Sequence, residues 1–301
     1  MKVSIITPSF NQGQFIEETI QSVLSQSYPN IEYIVIDGGS SDNSIQIINK
    51  YSHKIAYWVS EPDNGQADAI NKGFSKATGD LICWVNSDDI LYPNFITERV
   101  IQFNENPLVD FIYGDVDQGV EISRKILRKG ELTDFKTMLL TLYVPVPQQS
   151  SIWRRSVIEK LGYLDPKWRV LLDWEYFMRI SLNCNMLYKP GVVAFFRNHV
   201  ASKSVAEWRK WAEELEIYYY GLFSGVLTSE YLPLKASAIA AMYYKCATIC
   251  EDCKDLDAKK KYLSLARELK PFFVLKKDAI GFLKNVYHRL TKMQALTKDN
   301  H

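Results

Sequence analysis

Short apolar runs alternate with amphipathic segments over the first hundred residues, and this alternation constrains the fold more than any other feature of the chain. Strands are predicted for the apolar runs at residues 2–6, 31–36, 55–59 and 81–85. Helices are predicted between them, where apolar side chains recur at helical spacing, at residues 15–25, 44–51 and 66–77. A chain that alternates in this way forms a mostly parallel sheet with helices on both faces.

Polar residues stand where the predicted strands end. Thr7 follows the first strand, Asp37 ends the second, and residues 86–89 (Asn-Ser-Asp-Asp) follow the fourth. Ligands of open α/β sheets bind beyond the carboxyl ends of the strands. The predicted topology therefore brings these residues, which are far apart in sequence, to one edge of the sheet.

The pattern changes near residue 203. Before it, strands are predicted at residues 111–113 and 192–196, and helices at residues 135–142, 156–161 and 173–182. After it, every predicted element is a helix, at residues 206–223, 233–250, 258–269 and 272–296. We therefore expect an α/β domain over residues 1–203 and a helical region over residues 204–301.

The composition indicates a protein of the cytoplasm. The chain has 301 residues, of which 47% are hydrophobic, and this is enough for a large core. We find no uninterrupted run of about 18 apolar residues, and the N-terminus lacks the basic start and long apolar centre of a secretion signal. The five cysteines form no regular framework, which is typical of free thiols. No nucleic-acid partner is expected.

The charge is distributed unevenly, although the net charge is only +1. Residues 1–202 carry 19 basic and 23 acidic side chains, whereas residues 203–301 carry 17 and 12. The predicted helix at residues 272–296 combines an apolar face with many basic residues, which is typical of a helix on an anionic membrane surface. The alternatives are that the basic residues form a solvated face, or that the helix packs on the preceding helices or on a second subunit in a homo-oligomer.

Asp88 and Asp89 are adjacent carboxylates after a predicted buried strand. They repel each other and lose solvation in a cleft, and a divalent cation relieves both problems. Magnesium and manganese prefer oxygen ligands and often bridge to a diphosphate. The alternative interpretation is that these residues only begin a turn.

Residues 37–42 (DGGSSD) form a second candidate site. Their two glycines allow a ligand to approach the backbone closely, and Asp37 could accept hydrogen bonds from a nucleobase or a ribose. A tight turn followed by a helix cap is the alternative. The chain has no P-loop sequence, and no G-x-G-x-x-G follows the first strand, which argues against kinases and Rossmann dehydrogenases.

Asp173 stands at the start of a predicted helix, where the helix dipole favours an ionised carboxylate. Such a carboxylate at the mouth of a cleft can accept a proton from a hydroxyl, although a helix cap is the alternative. Glu175 and Arg179 have the spacing of a structural ion pair in either case. His199 follows an apolar strand, where a neutral imidazole could complete a metal site or serve a structural role.

Three stretches together resemble family 2 glycosyltransferases, which have the GT-A fold. They are SIITPSFNQGQFIEETIQSVLSQSYPNIEYIVIDGGSSDNS, DNGQADAINKGFSKATGDLICWVNSDD and LLDWEYFMRIS, in the order that the family has them. The resemblance implies a GT-A-type, mostly parallel sheet flanked by helices, with a C-terminal helical extension that it does not cover. It also implies an inverting transferase that moves a sugar from a nucleoside-diphosphate sugar, with a UDP-sugar expected, to an acceptor hydroxyl in polysaccharide biosynthesis.

The resemblance implies roles for the residues that match its motifs. Asp173 matches the general base, and Asp88, Asp89 and His199 match groups around a divalent metal, Mn²⁺ or Mg²⁺. The matching donor-binding positions are Thr7, Pro8, Ser9, Asp37, Asp63, Gly65, Gln66, Asp68, Asn86, Ser87 and Asp88. Asn86 stands where the D-x-D motif has its first aspartate, and Leu172 stands where the family often has glutamate, so the number of protein ligands to the metal is open.

The acceptor is expected to be a glycan or a lipid-linked molecule at the inner face of the cell membrane. Trp153 and Trp174 could stack on its sugar rings, although a core role fits each tryptophan as well, and Gln148 and Gln149 could hydrogen-bond its hydroxyls. Two other functions fit part of the pattern. A metal-dependent nucleotidyltransferase would need a glycine-rich basic loop that the N-terminus lacks, and a non-catalytic sugar-nucleotide-binding module fits Asn86 but not Asp173.

Overall fold

The computed structural model describes residues 1–141, 145–199 and 207–275. The chain divides into two compact units. One comprises Met1–Met138 and Tyr143–Lys210, and the other comprises Leu139–Leu142 and Trp211–His301.

The first unit is built on one mixed sheet. Its strands are β1 (Val3–Ser9), β2 (Ile31–Asp37), β3 (Tyr57–Ser60), β4 (Leu81–Trp84), β5 (Ile90–Leu91), β6 (Phe111–Gly119), β7 (Lys125–Arg128), β8 (Ile152–Arg154) and β9 (Met186–Arg197). Among the described residues the strand order is β3-β2-β1-β4-β8-β6-β9-β5, and β7 pairs with β6. The first four strands are parallel to one another. β8 is antiparallel to β4 and β6, and β9 is parallel to β6.

Helices connect the strands and cover the sheet. They are α1 (Ile16–Leu24), α2 (Ser44–Tyr51), α3 (Gln66–Lys76), α4 (Phe95–Glu105), α6 (Arg155–Leu161) and α7 (Leu172–Asn183), whereas α5 (Phe135–Thr141) begins in the first unit and ends in the second. Ile16 and Ile20 of α1 share a core cluster with Val3 and Ile5 of β1. All seven residues of β1 are buried, as expected for a strand of a parallel sheet. The predicted α/β architecture, a mostly parallel sheet flanked by helices, is confirmed.

α3 packs very closely on β1 because Gly73 has no side chain. A Cβ atom at Gly73 would lie 2.4 Å from Cγ2 of Ile6. On the same face, Phe74 contacts Trp84 of β4 edge to face, with ring centroids 6.1 Å apart. α3 is thereby held directly against the strands whose carboxyl ends carry the polar residues.

Several elements after β4 were not predicted. β6 and β9 are longer than the apolar runs at residues 111–113 and 192–196, and β5, β7, β8 and α4 were absent from the prediction. The apolar run of β6 is interrupted by Asp115, which is buried because Tyr188 and the backbone of Gly130 and Gly191 donate hydrogen bonds to it. Hydrogen bonds from residues distant in sequence thus allow β6 to continue past the buried carboxylate of Asp115.

The C-terminal helices follow the sequence prediction within a few residues. They are Trp208–Gly221, Lys235–Asp252 and Leu256–Leu269, and a further helical turn covers residues 271–275. Cys246 and Cys250 are buried among them. The rest of the predicted membrane-surface helix lies outside the described residues. Within the described part of the chain, we find no helix with both the length and the apolar content that a bilayer crossing requires.

Candidate active site

Three parallel strands end side by side at one edge of the sheet. β1 lies between β2 and β4, and Ser9 at the end of β1 is directly opposite Asp37 at the end of β2. Val85, the residue after β4, donates its backbone N–H to the carbonyl oxygen of Ile6 at 2.9 Å. The polar segments that follow these strands are therefore neighbours, as the alternating pattern predicted.

Asp37 is wholly buried and anchors the loop after β2. Its Oδ2 atom accepts hydrogen bonds from the N–H groups of Gly39 at 3.1 Å and Ser40 at 2.9 Å. The hydroxyl of Ser60 donates to the same oxygen at 2.7 Å, and the hydroxyl of Ser40 donates to Oδ1 at 2.6 Å. Gly39 has a φ of +81°, which lets the loop fold back on the carboxylate. Asp37 thus fixes the loop backbone at the sheet edge.

The predicted donor residues at the end of β1 are buried. The hydroxyl of Thr7 accepts a hydrogen bond from Tyr33 at 3.1 Å, so this side chain belongs to the core. Pro8 is buried as well. Ser9 is 4% exposed, and its hydroxyl has no hydrogen-bond partner among the described residues. Because an unsatisfied buried hydroxyl is costly, Ser9 is the side chain of this segment with hydrogen-bonding capacity left for a ligand.

The loop before α3 lies against the loop after β2. Asp63 accepts a hydrogen bond from the backbone N–H of Gly65 at 2.8 Å, and a Cβ atom on Gly38 would lie 2.5 Å from its Oδ2. Asp68 accepts from the backbone N–H of Asn64 at 3.0 Å. The predicted donor residues of this segment therefore shape one loop that borders Gly38.

Asn86 joins three segments of the chain. Gln66 at the start of α3 donates to the Oδ1 atom of Asn86 at 2.8 Å. The Nδ2 group of Asn86 donates to Asp89 at 3.1 Å and to Gln148 at 3.3 Å. Sequence reasoning assigned Gln66 and Asn86 to the donor and Gln148 to the acceptor, but the structure links all three in one network.

Asp89 is buried and hydrogen-bonded, so its carboxylate is not accessible to a metal ion. It is 0% exposed, and its carboxylate accepts hydrogen bonds from Gln149 at 3.0 Å, Asn86 at 3.1 Å and the backbone N–H of Arg197 at 3.0 Å. Burial, together with the charge of Asp88, raises the pKa of Asp89 well above its usual range. The prediction that Asp89 contacts the metal therefore does not fit the structure, because both of its oxygens are enclosed and already hydrogen-bonded.

Asp88 faces the site and lies beside His199. Its Oδ2 atom is 2.9 Å from the Nε2 atom of His199, and the two side chains are 19% and 13% exposed. The His199 ring packs on Phe15, with ring centroids 5.0 Å apart. The guanidinium of Arg197 donates to the backbone carbonyl of Asp88 at 2.9 Å. The end of β9 thus fixes both the backbone and the side chain of Asp88.

Asp88 and His199 offer one carboxylate and one imidazole as candidate metal ligands. Across residues 1–141, 145–199 and 207–275, no group of three or more histidine, cysteine, aspartate or glutamate side chains is arranged to hold a metal ion. The predicted set of Asp88, Asp89 and His199 is therefore reduced to one carboxylate and one imidazole. Magnesium commonly takes only one or two protein carboxylates, and substrate phosphates and water complete its shell.

Asp173 lies in the first turn of α7, as predicted. It is half-buried, and its Oδ1 atom accepts the backbone N–H of Trp174 at 2.7 Å. One turn later Phe177 stacks on Trp84, with ring centroids 6.2 Å apart, so α7 packs against the end of β4. The predicted ion pair between Glu175 and Arg179 is confirmed at 2.7 Å.

Trp153 and Trp174 belong to the core. They are 0% and 1% exposed, and Trp153 packs on Trp84 and Phe111 with ring centroids 5.3 Å and 5.8 Å away. Of the two predicted roles, burial supports the core role over stacking on an acceptor sugar, because neither ring reaches solvent. Their aromatic character fits both roles, and only burial distinguishes them.

Two further residues of the site were missed in the sequence. Phe10 is 58% exposed directly after Ser9, and its place just beyond the first predicted strand was the signal available in the sequence. Arg197 contacts Asp88 and Asp89 and forms an ion pair with Glu18. No local pattern marks Arg197, because its partners lie in distant segments.

Known proteins resemble the chain in sequence and in fold. Residues 4–162 match the family model described as Glycosyl transferase family 2. The chain is 34% identical over 185 residues to an uncharacterized glycosyltransferase of Mycobacterium tuberculosis, covering 60% of this chain and 70% of the relative. It is 29% identical over 200 residues to a PGL/p-HBAD biosynthesis glycosyltransferase of Mycobacterium bovis, covering 64% and 75%.

Two solved structures show the same fold. S. aureus TarS 1-349 in complex with UDP-GlcNAc has a TM-score of 0.57 and 18% identity, covering 89% of this chain and 92% of that chain. The chain spans 55% of a longer structure of S. aureus TarS. The mannosyltransferase PcManGT from Pyrobaculum calidifontis, in complex with GDP-Man and Mn²⁺, has a TM-score of 0.62 and 17% identity, covering 98% and 84%. By its sequence and its GT-A-type fold, the chain is a glycosyltransferase that belongs to glycosyl transferase family 2.

Proposed function

We propose that the chain transfers a sugar from a nucleoside-diphosphate sugar to an acceptor hydroxyl, with inversion at the anomeric carbon and with a divalent cation on the diphosphate. The observation that carries the proposal is the 2.9 Å contact between Asp88 and His199 at the edge where the parallel strands end. A carboxylate suits both Mn²⁺ and Mg²⁺, whereas an imidazole is a ligand of transition metals, so the pair fits Mn²⁺ better than Mg²⁺. The complexes of TarS with UDP-GlcNAc and of PcManGT with GDP-Man and Mn²⁺ support this class of donor.

The nucleoside is proposed to lie at the ends of β1 and β2. Asp37 holds the loop backbone there, and Ser9 has a hydroxyl free to bond a base or a ribose. The exposed ring of Phe10 offers a face on which a base can stack. Uridine is the first choice of base, because the TarS complexes contain UDP and UDP-GlcNAc.

The diphosphate is proposed to lie beside Asp88 and His199, which would hold the cation. When bound, the cation supplies Lewis-acid stabilisation of the charge that develops on the departing diphosphate. Arg197 holds the backbone of Asp88 in place, and Asp89 holds Asn86. These two residues position the site without contacting substrate.

Asp173 is proposed as the general base. Its carboxylate lies in the first turn of α7, where the helix dipole favours the ionised form. It would take the proton from the acceptor hydroxyl while the hydroxyl oxygen attacks the anomeric carbon. The attack comes from the face opposite the departing diphosphate and therefore inverts this carbon.

The acceptor is proposed to be a glycan or a lipid-linked molecule of cell-surface polysaccharide assembly, met at the inner face of the cell membrane. The relative named for PGL/p-HBAD biosynthesis supports a setting of this kind. Gln148 and Gln149 are 6% and 5% exposed and bond Asn86 and Asp89, so their proposed role moves from the acceptor to the support of the donor side.

The experiment is a panel of UDP-sugars and GDP-mannose incubated with Mn²⁺, with Mg²⁺ or with a chelator, scored for release of nucleoside diphosphate. We expect release with one donor that depends on the cation, and a product of inverted anomeric configuration by nuclear magnetic resonance. Release of nucleoside diphosphate at an equal rate in the presence of the chelator would show that the reaction does not need a cation. Pyrophosphate release from a nucleoside triphosphate would indicate a nucleotidyltransferase, and donor binding without release would indicate a binding module.

A further inference from the structure

Large aliphatic side chains are exposed in a cluster on the hairpin formed by β6 and β7 and on the residues after it. They are Val120 (65% exposed), Ile122 (45%), Ile126 (69%), Leu127 (49%) and Leu132 (77%). Every residue from 120 to 127 is exposed. Single exposed aliphatic residues are ordinary on protein surfaces, whereas a contiguous group marks an interaction site. We name residues 119–132 the aliphatic–basic hairpin.

The aliphatic–basic hairpin also carries an excess of positive charge. Its four basic and two acidic residues, a net charge of +2, are Arg124, Lys125, Arg128, Lys129, Glu121 and Glu131. Lys125 is engaged by Asp117 at 2.6 Å. Arg124 and Lys129 are both exposed, and the described part of the chain gives neither of them an ion-pair partner. Two cations beside exposed aliphatic side chains favour a partner that is anionic and apolar at once.

The aliphatic side chains lie on both faces of the hairpin and at its tip. Ile126 and Leu127 are consecutive in β7, so they point to opposite faces, yet both are exposed. Val120 and Ile122 lie in the turn between the strands. A folded partner that packs on one face would leave the other face in water. A lipid headgroup layer surrounds an inserted hairpin on both faces, and it therefore fits this distribution better.

Pairing with a second copy of the chain fits less well. Among the described residues β7 pairs with β6 alone, so its other edge is open. Lys125 and Arg128 lie on this edge strand, and basic residues on edge strands oppose strand addition. Two copies joined along β7 would bring four basic side chains together.

The base of the aliphatic–basic hairpin is bonded to the candidate active site. The backbone N–H of Asn198 donates to the carbonyl oxygen of Gly119 at 2.8 Å, and the side chain of Gln118 donates to Asn198 at 3.2 Å. Asn198 directly precedes His199, which contacts Asp88. A membrane that holds the hairpin therefore also holds this edge of the active site close to its surface.

We propose that the aliphatic–basic hairpin inserts into the headgroup region of an anionic membrane. Val120, Ile122 and Ile126 provide the apolar anchor, and Arg124 and Lys129 pair with lipid phosphates. A lipid-linked acceptor would then meet the site at the membrane surface; this last step rests on the proposed function, whereas binding to the membrane does not. The hairpin is separate from residues 272–296, for which the sequence predicted membrane contact.

The test is sedimentation of the full chain with vesicles of phosphatidylcholine, alone or mixed with anionic phosphatidylglycerol. We expect binding to the mixed vesicles, and we expect the double variant Ile122→Glu/Ile126→Glu to lower the partition coefficient about tenfold or more. The control Ile101→Glu/Leu108→Glu makes the same charge change at aliphatic residues that are 51% and 82% exposed, and it should bind like the wild type. Arg124→Ala/Lys129→Ala should lose the preference for phosphatidylglycerol.

Circular dichroism of each variant shows whether it is folded, and vesicle binding without sugar nucleotide keeps this test independent of transferase activity. The proposal is overturned if the wild type does not bind mixed vesicles, if the control pair loses binding equally, or if the hairpin pair binds like the wild type. A wild-type dimer in light scattering that the hairpin pair dissociates, without vesicle binding, would assign the surface to a second copy instead.

Discussion

The Nε2 atom of His199 lies 2.9 Å from the Oδ2 atom of Asp88, although 111 positions separate the two residues in the chain. The contact depends on the pairing of the short strand β5 with β9, in which Ile90 is opposite Phe195. The carboxylate and the imidazole are thus brought together by the sheet itself. A cation could be held at this point without any rearrangement of strands.

Asp88→Asn should weaken the binding of UDP in the presence of Mn²⁺ by tenfold or more, because the only acidic side chain of the pair loses its charge. Isothermal titration with UDP, with and without Mn²⁺, measures the effect. Asp257→Asn is the control, since this aspartate is 97% exposed and lies in a C-terminal helix. Equal UDP affinity for Asp88→Asn and the wild type at saturating Mn²⁺ would contradict the assignment of the cation to Asp88.

Asp173→Asn should lower the turnover by about 10²–10⁴-fold while the affinity for UDP stays unchanged. The amide keeps the shape of the side chain but cannot take the proton of the acceptor. Initial rates of nucleoside-diphosphate release with a saturating acceptor measure turnover. Asp165→Asn, at an aspartate whose side chain is 37% exposed and paired with Lys167, should keep the wild-type rate. A full rate in Asp173→Asn would assign the base to another group.

Phe10→Ala should weaken UDP binding by about tenfold, both with and without Mn²⁺, because stacking of a base on an aromatic ring contributes about 1–3 kcal/mol. This independence from the cation distinguishes the effect from that of Asp88→Asn. Phe272→Ala is the matched control, since Phe272 is 84% exposed near the C-terminal end of the described residues. An unchanged UDP affinity in Phe10→Ala would place the base elsewhere.

Gly73→Ala should destabilise the fold by about 1–3 kcal/mol, because the new methyl group would overlap the side chain of Ile6, which is branched and fixed in β1. Gly221→Ala makes the same substitution in another helix, where no heavy atom outside its chain neighbours and its own helix backbone lies within 4 Å of the new Cβ. It should leave the stability unchanged or raise it by up to about 1 kcal/mol. Urea unfolding measures both, and equal stability of the two variants would refute the close packing of α3 on β1.

Glu175→Gln should change the pH dependence of stability. Burial raises the pKa of Glu175, and the nearby Arg179 lowers it only in part. A carboxyl with a raised folded-state pKa stabilises the fold fully below its unfolded pKa of about 4.3, and this contribution is lost as the pH rises through the folded pKa. As the pH rises, we therefore expect the free energy of unfolding of the wild type to fall relative to that of the variant. The total fall is about 1.4 kcal/mol for each pH unit between the unfolded-state pKa and the folded-state pKa.

Urea unfolding at a series of pH values from about 4 upward measures this difference. Arg179 still donates to the carbonyl oxygens of Leu161 and Tyr163 in the variant, so its guanidinium keeps partners. A difference that stays constant with pH would mean that the pKa of Glu175 is the same in the folded and unfolded states.

Local patterns in the sequence were sufficient to predict the strands and helices that carry the site. The spacing of apolar residues predicted the first four strands and the helices between them, because periods of 2 and 3.6 residues depend only on neighbouring positions. The order of the parallel strands then placed Asp37 and residues 86–89 at one edge. The ion pair of Glu175 with Arg179 was also predictable, since its two members lie one helical turn apart.

Tertiary structure decided which of these residues is accessible. Asp88 and Asp89 are chemically identical neighbours, yet Asp88 faces the site beside His199 while Asp89 is enclosed by Gln149 and Arg197, which lie 60 and 108 positions away. Trp153 resembled a sugar-stacking residue and proved to be core. The amino-acid sequence determined which chemical groups are present at each strand end. The exposure and the pKa of a side chain depend instead on the atoms that long-range folding brings around it, and no local pattern encodes those atoms.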